Sequence, residues 1–333
     1  MRRWRLPLLL TSLLAGSLLV PGCSARPPQA ATPAVTTAAP VATTTPEAPA
    51  ELVFAVIGDY GMDDANEGAV ADLVDSWDPA FVITTGDDYY KPAGGTGTGR
   101  YDESTGAYYG RWLKDISTTG TRFPTGSAPI NAFFPAMGNH DYSDATPSPE
   151  TYLTYFDLPG KDFTSTSGNE RYYDFIQGPI HFFVLNSNTK EPDGTGSTSA
   201  QAQWLKAQLA ASTSTWNIVY DHHPPYSSDA KHGSTDYMQW PFAEWGTDAF
   251  ISGHAHTYER IMRDGIPYMV NGLGGAARYD FKTPVPGSAV RYNADWGAQK
   301  VTVSDTAMTF EFYDVTGTLV DSYLIPATGS DGE

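Results

Sequence analysis

Cysteine is almost missing from this chain: 333 residues contain a single one, Cys23, near the N-terminus. No disulfide can therefore form within the chain. No thiolate is available to the rest of it, so any metal chemistry there must use oxygen and nitrogen donors. A chain of this length buries enough apolar surface to fold without covalent staples. Basic residues are also scarce, 20 Lys and Arg against 38 Asp and Glu, for a formal charge of -18. That balance argues against nucleic acid as the main partner, because phosphate backbones are held by clustered cations. An anionic ligand would have to be drawn in by local positive charge against the overall field. Past the N-terminal region no apolar run approaches membrane-spanning length, and no internal repeat recurs at a fixed period.

The N-terminus breaks this pattern. Arg2, Arg3 and Arg5 precede an apolar run over 6–20 and then Pro21-Gly22-Cys23. The run is too short for a membrane span and leads into polar, Pro-rich chain, so 1–23 reads as an export signal. It is similar to a bacterial lipoprotein signal, in which the cysteine is lipidated and becomes the new N-terminus. Ordinary cleavage after Ala25 is the alternative. The expectation is export across the bacterial cytoplasmic membrane, with the chain either lipid-anchored at Cys23 or secreted. Losing Arg2, Arg3 and Arg5 with the signal deepens the net charge from -18 to -21. Residues 24–50, almost entirely Ala, Pro, Thr and Val, read as a disordered tether. A folded domain is expected over 51–328, with a short tail at 329–333.

Within that domain five apolar runs, at 52–57, 80–85, 132–137, 218–220 and 249–251, each lead into a polar motif. The motifs are Gly58-Asp59-Tyr60-Gly61, Gly86-Asp87-Asp88-Tyr89-Tyr90, Gly138-Asn139-His140-Asp141, Asp221-His222-His223-Pro224 and Gly253-His254-Ala255-His256. Runs of this length bounded by glycine or polar residues read as buried strands. Helical spacing is present at 67–77 and 200–209. Strand, polar loop, helix, repeated, is an α/β arrangement whose reactive residues gather beyond the carboxyl ends of the strands. Alternating residues at 300–303, 308–313 and 319–325 predict antiparallel hairpins closing one side of the sheet. The stretch 91–127, rich in Gly, Thr, Tyr and Asp, reads as a long loop over the site with a short helix near 108–116.

The motifs collect oxygen and nitrogen donors. Five of the seven histidines sit in them, and a sixth, His232, lies ten residues past His222. Two neighbouring metal ions need a bridging ligand, and Asp87 is the candidate. Asp59, Tyr90 and His256 would complete one ion, and Asn139, His222 and His254 the other. Residues two apart in an extended segment project the same way, so His254 and His256 could address adjacent ions. A water on such ions is acidified into a nucleophile near neutral pH. Taken singly, each residue has a plainer reading: Asp59 and Asp87 as turn residues, Asn139 as a loop amide, Tyr90 as aromatic packing, His232 as a surface histidine. Their ordered set favours ligation. His223, Asp88 and Asp141 read as supports for ligands, and His181 as structural.

The same ordered set resembles the calcineurin-like metallophosphoesterases, specifically the purple acid phosphatase branch in its small, tartrate-resistant form. The resemblance runs from about Leu52 to Ile325 and includes Gln203-Trp204-Leu205 and Thr257-Tyr258-Glu259-Arg260. It implies a four-layer α-β-β-α sandwich of two mixed sheets flanked by helices. It also implies Fe(III) at Asp59, Asp87, Tyr90 and His256, with Fe, Zn or Mn at Asp87, Asn139, His222 and His254. His140 and His232 would be the catalytic histidines, His140 facing the phosphate and His232 orienting it and protonating the leaving group. The activity implied is hydrolysis of small phosphate monoesters. A phosphodiesterase or nucleotide pyrophosphatase on the same centre is the alternative, and a non-catalytic surface binding protein is the rival from another class. Asn186 departs from the family, whose members often have aspartate there, and 91–127 has no counterpart that would carry specificity across.

Overall fold

Each of the five apolar runs becomes a strand, and buried residues line both of its faces. The computed structural model describes residues 51–90, 97–114, 116, 127–142 and 149–327. The expected signal, tether and tail lie outside these residues, as does part of 91–127. In chain order the strands are β1 (Leu52–Ile57), β2 (Phe81–Thr84), β3 (Phe133–Pro135), β4 (Tyr173–Gln177), β5 (Ile180–Val184), β6 (Trp216–Tyr220) and β7 (Ala249–Ser252). They continue as β8 (Tyr258–Arg263), β9 (Ile266–Asn271), β10 (Ser288–Tyr292), β11 (Gly297–Val303), β12 (Ala307–Asp314) and β13 (Leu319–Pro326). The first sheet has the order β13-β12-β11-β1-β2-β3 and the second β10-β8-β9-β7-β6-β5-β4. In the first, β1, β2 and β3 are parallel and the three C-terminal strands antiparallel, so the expected hairpins do extend one side of a sheet.

Side-chain alternation explains why the sheets stack. Ile180, Phe182 and Val184 of β5 join the inner core, while Phe183 and Leu185 join an outer cluster. Ile218 and Tyr220 of β6 face in and Val219 out, and Ile251 of β7 faces in and Phe250 out. Across the inner layer Phe54 meets Phe182 edge-on at 5.4 Å, and Phe134 stacks on Phe175 at 3.9 Å. Tyr220 and Tyr173 of the second sheet donate to the carbonyls of Phe134 and Pro135 on the edge strand β3.

Helices cover the outer faces. Helix α1 (Ala65–Ser76), capped by the Asp64 carboxylate on the amides of Asn66 and Glu67, packs Val70 and Val74 against the first sheet. The spacing signal began two residues late because Asp64, an N-cap, has no hydrophobic period. On the other side Leu205 and Leu209, from the helix Ala200–Ala211, and Phe242, from the helical turn Phe242–Trp245, cover the second sheet. Two layers of helix thus enclose two mixed sheets. Among the described residues no helix is long and apolar enough to cross a membrane.

The expectation for 91–127 needs correction. Over the described residues 110–114 no helix forms; helical backbone runs earlier, through Gly99–Tyr101, a π-helical turn at Asp102–Gly106 and Ala107–Tyr109. Local propensity for Asp-Glu-Ser-Thr-Gly is poor, and tertiary contacts decide instead. Tyr101 and Tyr109 are fully buried, the Ser104 hydroxyl donates to the Asp88 carbonyl at 2.6 Å, and Thr105 bonds the Tyr60 hydroxyl at 2.9 Å. This described part lies behind the motif loops as buried support, not over them as cover.

Candidate metal centre

The carboxyl ends of β1, β2 and β3 and those of β6 and β7 open toward one another, and backbone bonds lock the loops between them. Asp59 N–H donates to the Gly86 carbonyl at 3.0 Å, and Gly253 N–H to the His222 carbonyl at 3.0 Å. The two sheets are then joined directly, as His254 N–H donates to Asp59 Oδ2 at 2.8 Å. Three of the candidates sit on strained backbone: Asp59, Asp87 and His254 have φ of 55°, 54° and 65°. Left-handed φ is costly for non-glycine residues, and such strain gathers at sites where side-chain direction matters. Gly138 allows the closest approach. A Cβ there would lie 2.1 Å from Asp87 Oδ1 and 2.3 Å from its amide nitrogen.

The seven candidates come together in two overlapping groups. The Tyr90 hydroxyl is 3.0 Å from Asp59 Oδ1, 2.8 Å from Asp87 Oδ2 and 3.0 Å from His256 Nε2. His222 Nε2 is 3.0 Å from Asn139 Oδ1, 3.2 Å from His254 Nδ1 and 3.4 Å from Asp87 Oδ2. Asp87 is common to both, the position a bridging carboxylate requires. Tautomers follow from the outer partners. His222 Nδ1 faces the Thr85 carbonyl at 2.8 Å and His256 Nδ1 the Ala277 carbonyl at 2.6 Å. A carbonyl only accepts, so each Nδ1 carries a proton, and Nε2 is the ring atom turned toward the centre.

This arrangement fits cations. Carboxylate, amide, phenol and imidazole donors press their lone pairs into the same few ångströms, which is unfavourable unless positive charge lies among them. The electrostatics of the buried groups point the same way. Burial opposes charge on His222, yet the carboxylates of Asp87 and Asp59 push its pKa up to about 10. Burial, then Asp59 and Asp87, hold the Tyr90 phenol well above its ordinary value, so a phenolate there needs a cation to replace its proton. Asp59, Asp87 and His222 offer donor atoms within 4.8 Å of one another, as do His222, His223 and His254.

The supporting residues divide by task. Asp141 Oδ2 accepts from the amides of Gly138, Asp87 and Asp88 at 2.7, 3.1 and 3.4 Å, tying the second and third motifs together. Asp88 accepts from the Thr84 hydroxyl at 2.6 Å. His223 bonds Ser187 through Nδ1 at 2.9 Å, with its ring 4.4 Å from His254. His181 pairs with Asp174 at 3.0 Å, in the outer part of the second sheet's edge. Of the two catalytic candidates, His140 is exposed, its ring 4.4 Å from Tyr90 and its amide on Asp87 Oδ1 at 2.8 Å. His232, also exposed, has its ring 4.0 Å from His254.

Further contributors to the site lie outside the five motifs. The Thr85 and Ala277 carbonyls fix two imidazoles, and a backbone oxygen has no residue signature. Tyr279 lies parallel to His256 at 4.0 Å, and its N–H donates to the His256 carbonyl at 3.0 Å. Asp229 holds the His232 loop by accepting from three successive amides, and it could have been read as a turn-forming Asx three residues before a histidine.

Residues 52–258 match the family described as calcineurin-like phosphoesterase. Purple acid phosphatase 15 of Arabidopsis thaliana is 26% identical over 255 residues, covering 67% of this chain and 44% of that protein. The chain therefore spans less than half the length of that plant relative. Tartrate-resistant acid phosphatase type 5 of Mus musculus is 24% identical over 316 residues, covering 80% of this chain and 88% of the mouse protein. In fold, the chain superimposes on the purple acid phosphatase from yellow lupin (Lupinus luteus) seeds with a TM-score of 0.63, at 18% identity, covering 84% of this chain and 54% of that one. GAP50, the anchor in the inner membrane complex of Plasmodium, gives 0.59 at 17% identity, covering 84% and 90%.

Proposed function

The chain belongs to the calcineurin-like phosphoesterase family, and on that premise we propose that it is an exported phosphatase that hydrolyses small phosphate monoesters at a dinuclear metal centre. The observation that carries the reading is the meeting of Tyr90, Asp59, Asp87 and His256 in one cluster that shares Asp87 with the Asn139, His222 and His254 cluster. Asp59, Asp87, Tyr90 and His256 would hold one ion, ferric iron, and Asp87, Asn139, His222 and His254 the other, Fe, Zn or Mn. Such ions neutralise the phosphate and acidify a water for attack on phosphorus. Fold alone does not decide the matter, since GAP50 shares it and is described as an anchor. The complete donor set favours an enzyme. Export rests on the reading of residues 1–23 as a signal, and the mass of the mature N-terminus distinguishes a lipid on Cys23 from plain cleavage, while an intact Met1 would sink it.

The chain's own residues supply the rest. His140, exposed beside Tyr90, offers a donor to phosphate oxygens. His232, against His254, is placed to give a proton to the departing oxygen. Partial desolvation first, then the Lys231 ammonium, hold the exposed His232 below the ordinary imidazole value, with Asp229 opposing. Its protonated fraction is therefore greatest on the acidic side, where an acid phosphatase would work. His232→Ala should cost roughly a hundredfold in kcat on an alkyl phosphate and far less on nitrophenyl phosphate, whose leaving group needs no proton. Equal losses on both substrates would remove the proton-donor role.

The reaction class is tested by the ratio of kcat/KM for nitrophenyl phosphate and bis-nitrophenyl phosphate on the metal-loaded protein. We expect the monoester to be preferred by at least about tenfold, because two ions and two imidazoles best match a dianion. A diester preference would make the protein a phosphodiesterase. Metal binding without turnover on either ester would leave a binding protein.

A further inference from the structure

Two lysines with no carboxylate partner among the described residues stand beside the candidate metal centre of a protein whose acidic residues outnumber its basic ones nearly two to one. Segments 228–230 and 280–282 run antiparallel, through Ala230 N–H on the Asp280 carbonyl at 2.8 Å and Lys282 N–H on the Ser228 carbonyl at 2.9 Å. This brings Lys282 against the loop that carries Lys231 and His232. A Cβ on Gly233 would lie 2.6 Å from Lys282 Nζ, so that ammonium rests against the residue after His232. Both lysines are exposed, and among the described residues neither forms an ion pair with a carboxylate. The polar partner of Lys231 is the Tyr279 hydroxyl, and its Nζ is also 4.0 Å from the Tyr279 ring centroid.

Tyr279 ties this ammonium to the centre, since the same ring stacks on His256 at 4.0 Å with its planes 11° apart. Two 4.0 Å steps thus separate the Lys231 charge from a candidate ligand imidazole. The loop presenting it is held rigidly. Asp229 Oδ2 accepts from the amides of Lys231 at 3.1 Å, His232 at 2.5 Å and Gly233 at 3.4 Å. Upstream, the fully buried Glu259 takes the Ser228 amide at 2.7 Å. With His232 as the proton donor to the leaving oxygen, the ammonium of the residue before it, on the same fixed loop, would lie on the leaving-group side.

We propose that the Lys231 ammonium and the Tyr279 hydroxyl form an anion subsite that binds a second phosphate on the leaving group, which selects phosphoanhydrides and bisphosphates over simple monoesters. The assignment deepens the hydrolase reading and rests on it. A charge-assisted contact of this kind amounts to roughly a tenfold preference.

Calorimetric titration of the metal-loaded protein with methylphosphonate and with methylenediphosphonate isolates the subsite, because neither probe turns over. The bisphosphonate should bind about tenfold tighter than the monophosphonate, and Lys231→Met should erase most of that ratio. Lys206→Met, which removes the same charge from an exposed position on the far helix, should leave the ratio in place. A ratio unaltered by Lys231→Met, or lowered equally by Lys206→Met, overturns the subsite. Nitrophenyl phosphate hydrolysis by the same preparation is scored separately. A protein that shows the ratio but no hydrolysis keeps the subsite and loses the phosphatase reading.

Discussion

Asp87→Asn should lower phosphate-ester turnover by roughly a thousandfold or more, a loss of about 4 kcal/mol in transition-state stabilisation, and should release at least one of the two ions. The two oxygens of Asp87 serve different neighbours. Oδ1 accepts from His140 N–H at 2.8 Å, while Oδ2 lies 2.8 Å from the Tyr90 hydroxyl and 3.4 Å from His222 Nε2. Asparagine keeps the shape and surrenders the charge. If its oxygen stays on the His140 amide, its NH2 group faces the phenol and the imidazole, where a cation is expected. If it flips, two N–H groups meet, and a buried donor is left without an acceptor. The surrounding fold should survive, because the amides of Gly138, Asp87 and Asp88 are held by Asp141 and not by Asp87. Metal content by mass spectrometry, kcat/KM and the melting curve separate these effects. Two ions retained with turnover within tenfold of the parent would show that Asp87 does not bridge.

How far the sequence carried this site depends on what kind of group does each job. Side-chain donors that follow short buried strands were legible, because the strand's apolar run and the sharp turn after it are both written locally. Asp59, Asp87, Asn139, His222 and His254 are of this kind, and the role of Asp141 as a support followed from its place in the third motif. Tyr279 was not legible. Its contact with His256 depends on the chain returning through β8 and β9 before the loop at 277–282, and the strands β8 to β10 were themselves not anticipated. The Lys231 subsite was hidden for the same reason: the sequence shows a lone lysine, and only the pairing of 228–230 with 280–282 sets it against Tyr279. The helix at Gly99–Tyr109 was misplaced because its register comes from burying Tyr101 and Tyr109 behind the motif loops, a tertiary demand that outweighs a sequence of weak helix formers.

Tyr90→Phe should abolish the colour of the iron-loaded protein. The parent is expected to be violet, from charge transfer between a phenolate at Tyr90 and ferric iron, and the variant colourless at equal iron content. The argument starts from the proton. Burial and the two carboxylates hold the Tyr90 phenol well above its ordinary pKa, so it remains protonated unless a cation displaces that proton. The displacing ion must outweigh two buried carboxylates and the desolvation of a phenolate, which favours a trivalent ion over a divalent one. Phenylalanine retains the ring, which packs 4.4 Å from His140 and meets His256 edge-on at 5.9 Å, so the pocket wall should persist. It removes the one donor able to give a visible band, because carboxylate and imidazole ligands on ferric iron absorb at higher energy. Loss of the band with iron retained assigns the phenolate to Tyr90 and ferric iron to the Asp59, Asp87 and His256 side. A parent that holds iron stoichiometrically and is colourless in its oxidised form would make Tyr90 a neutral hydrogen-bond donor to Asp59 and Asp87. The centre would then be one of two divalent ions, and the tyrosine would serve to orient carboxylates.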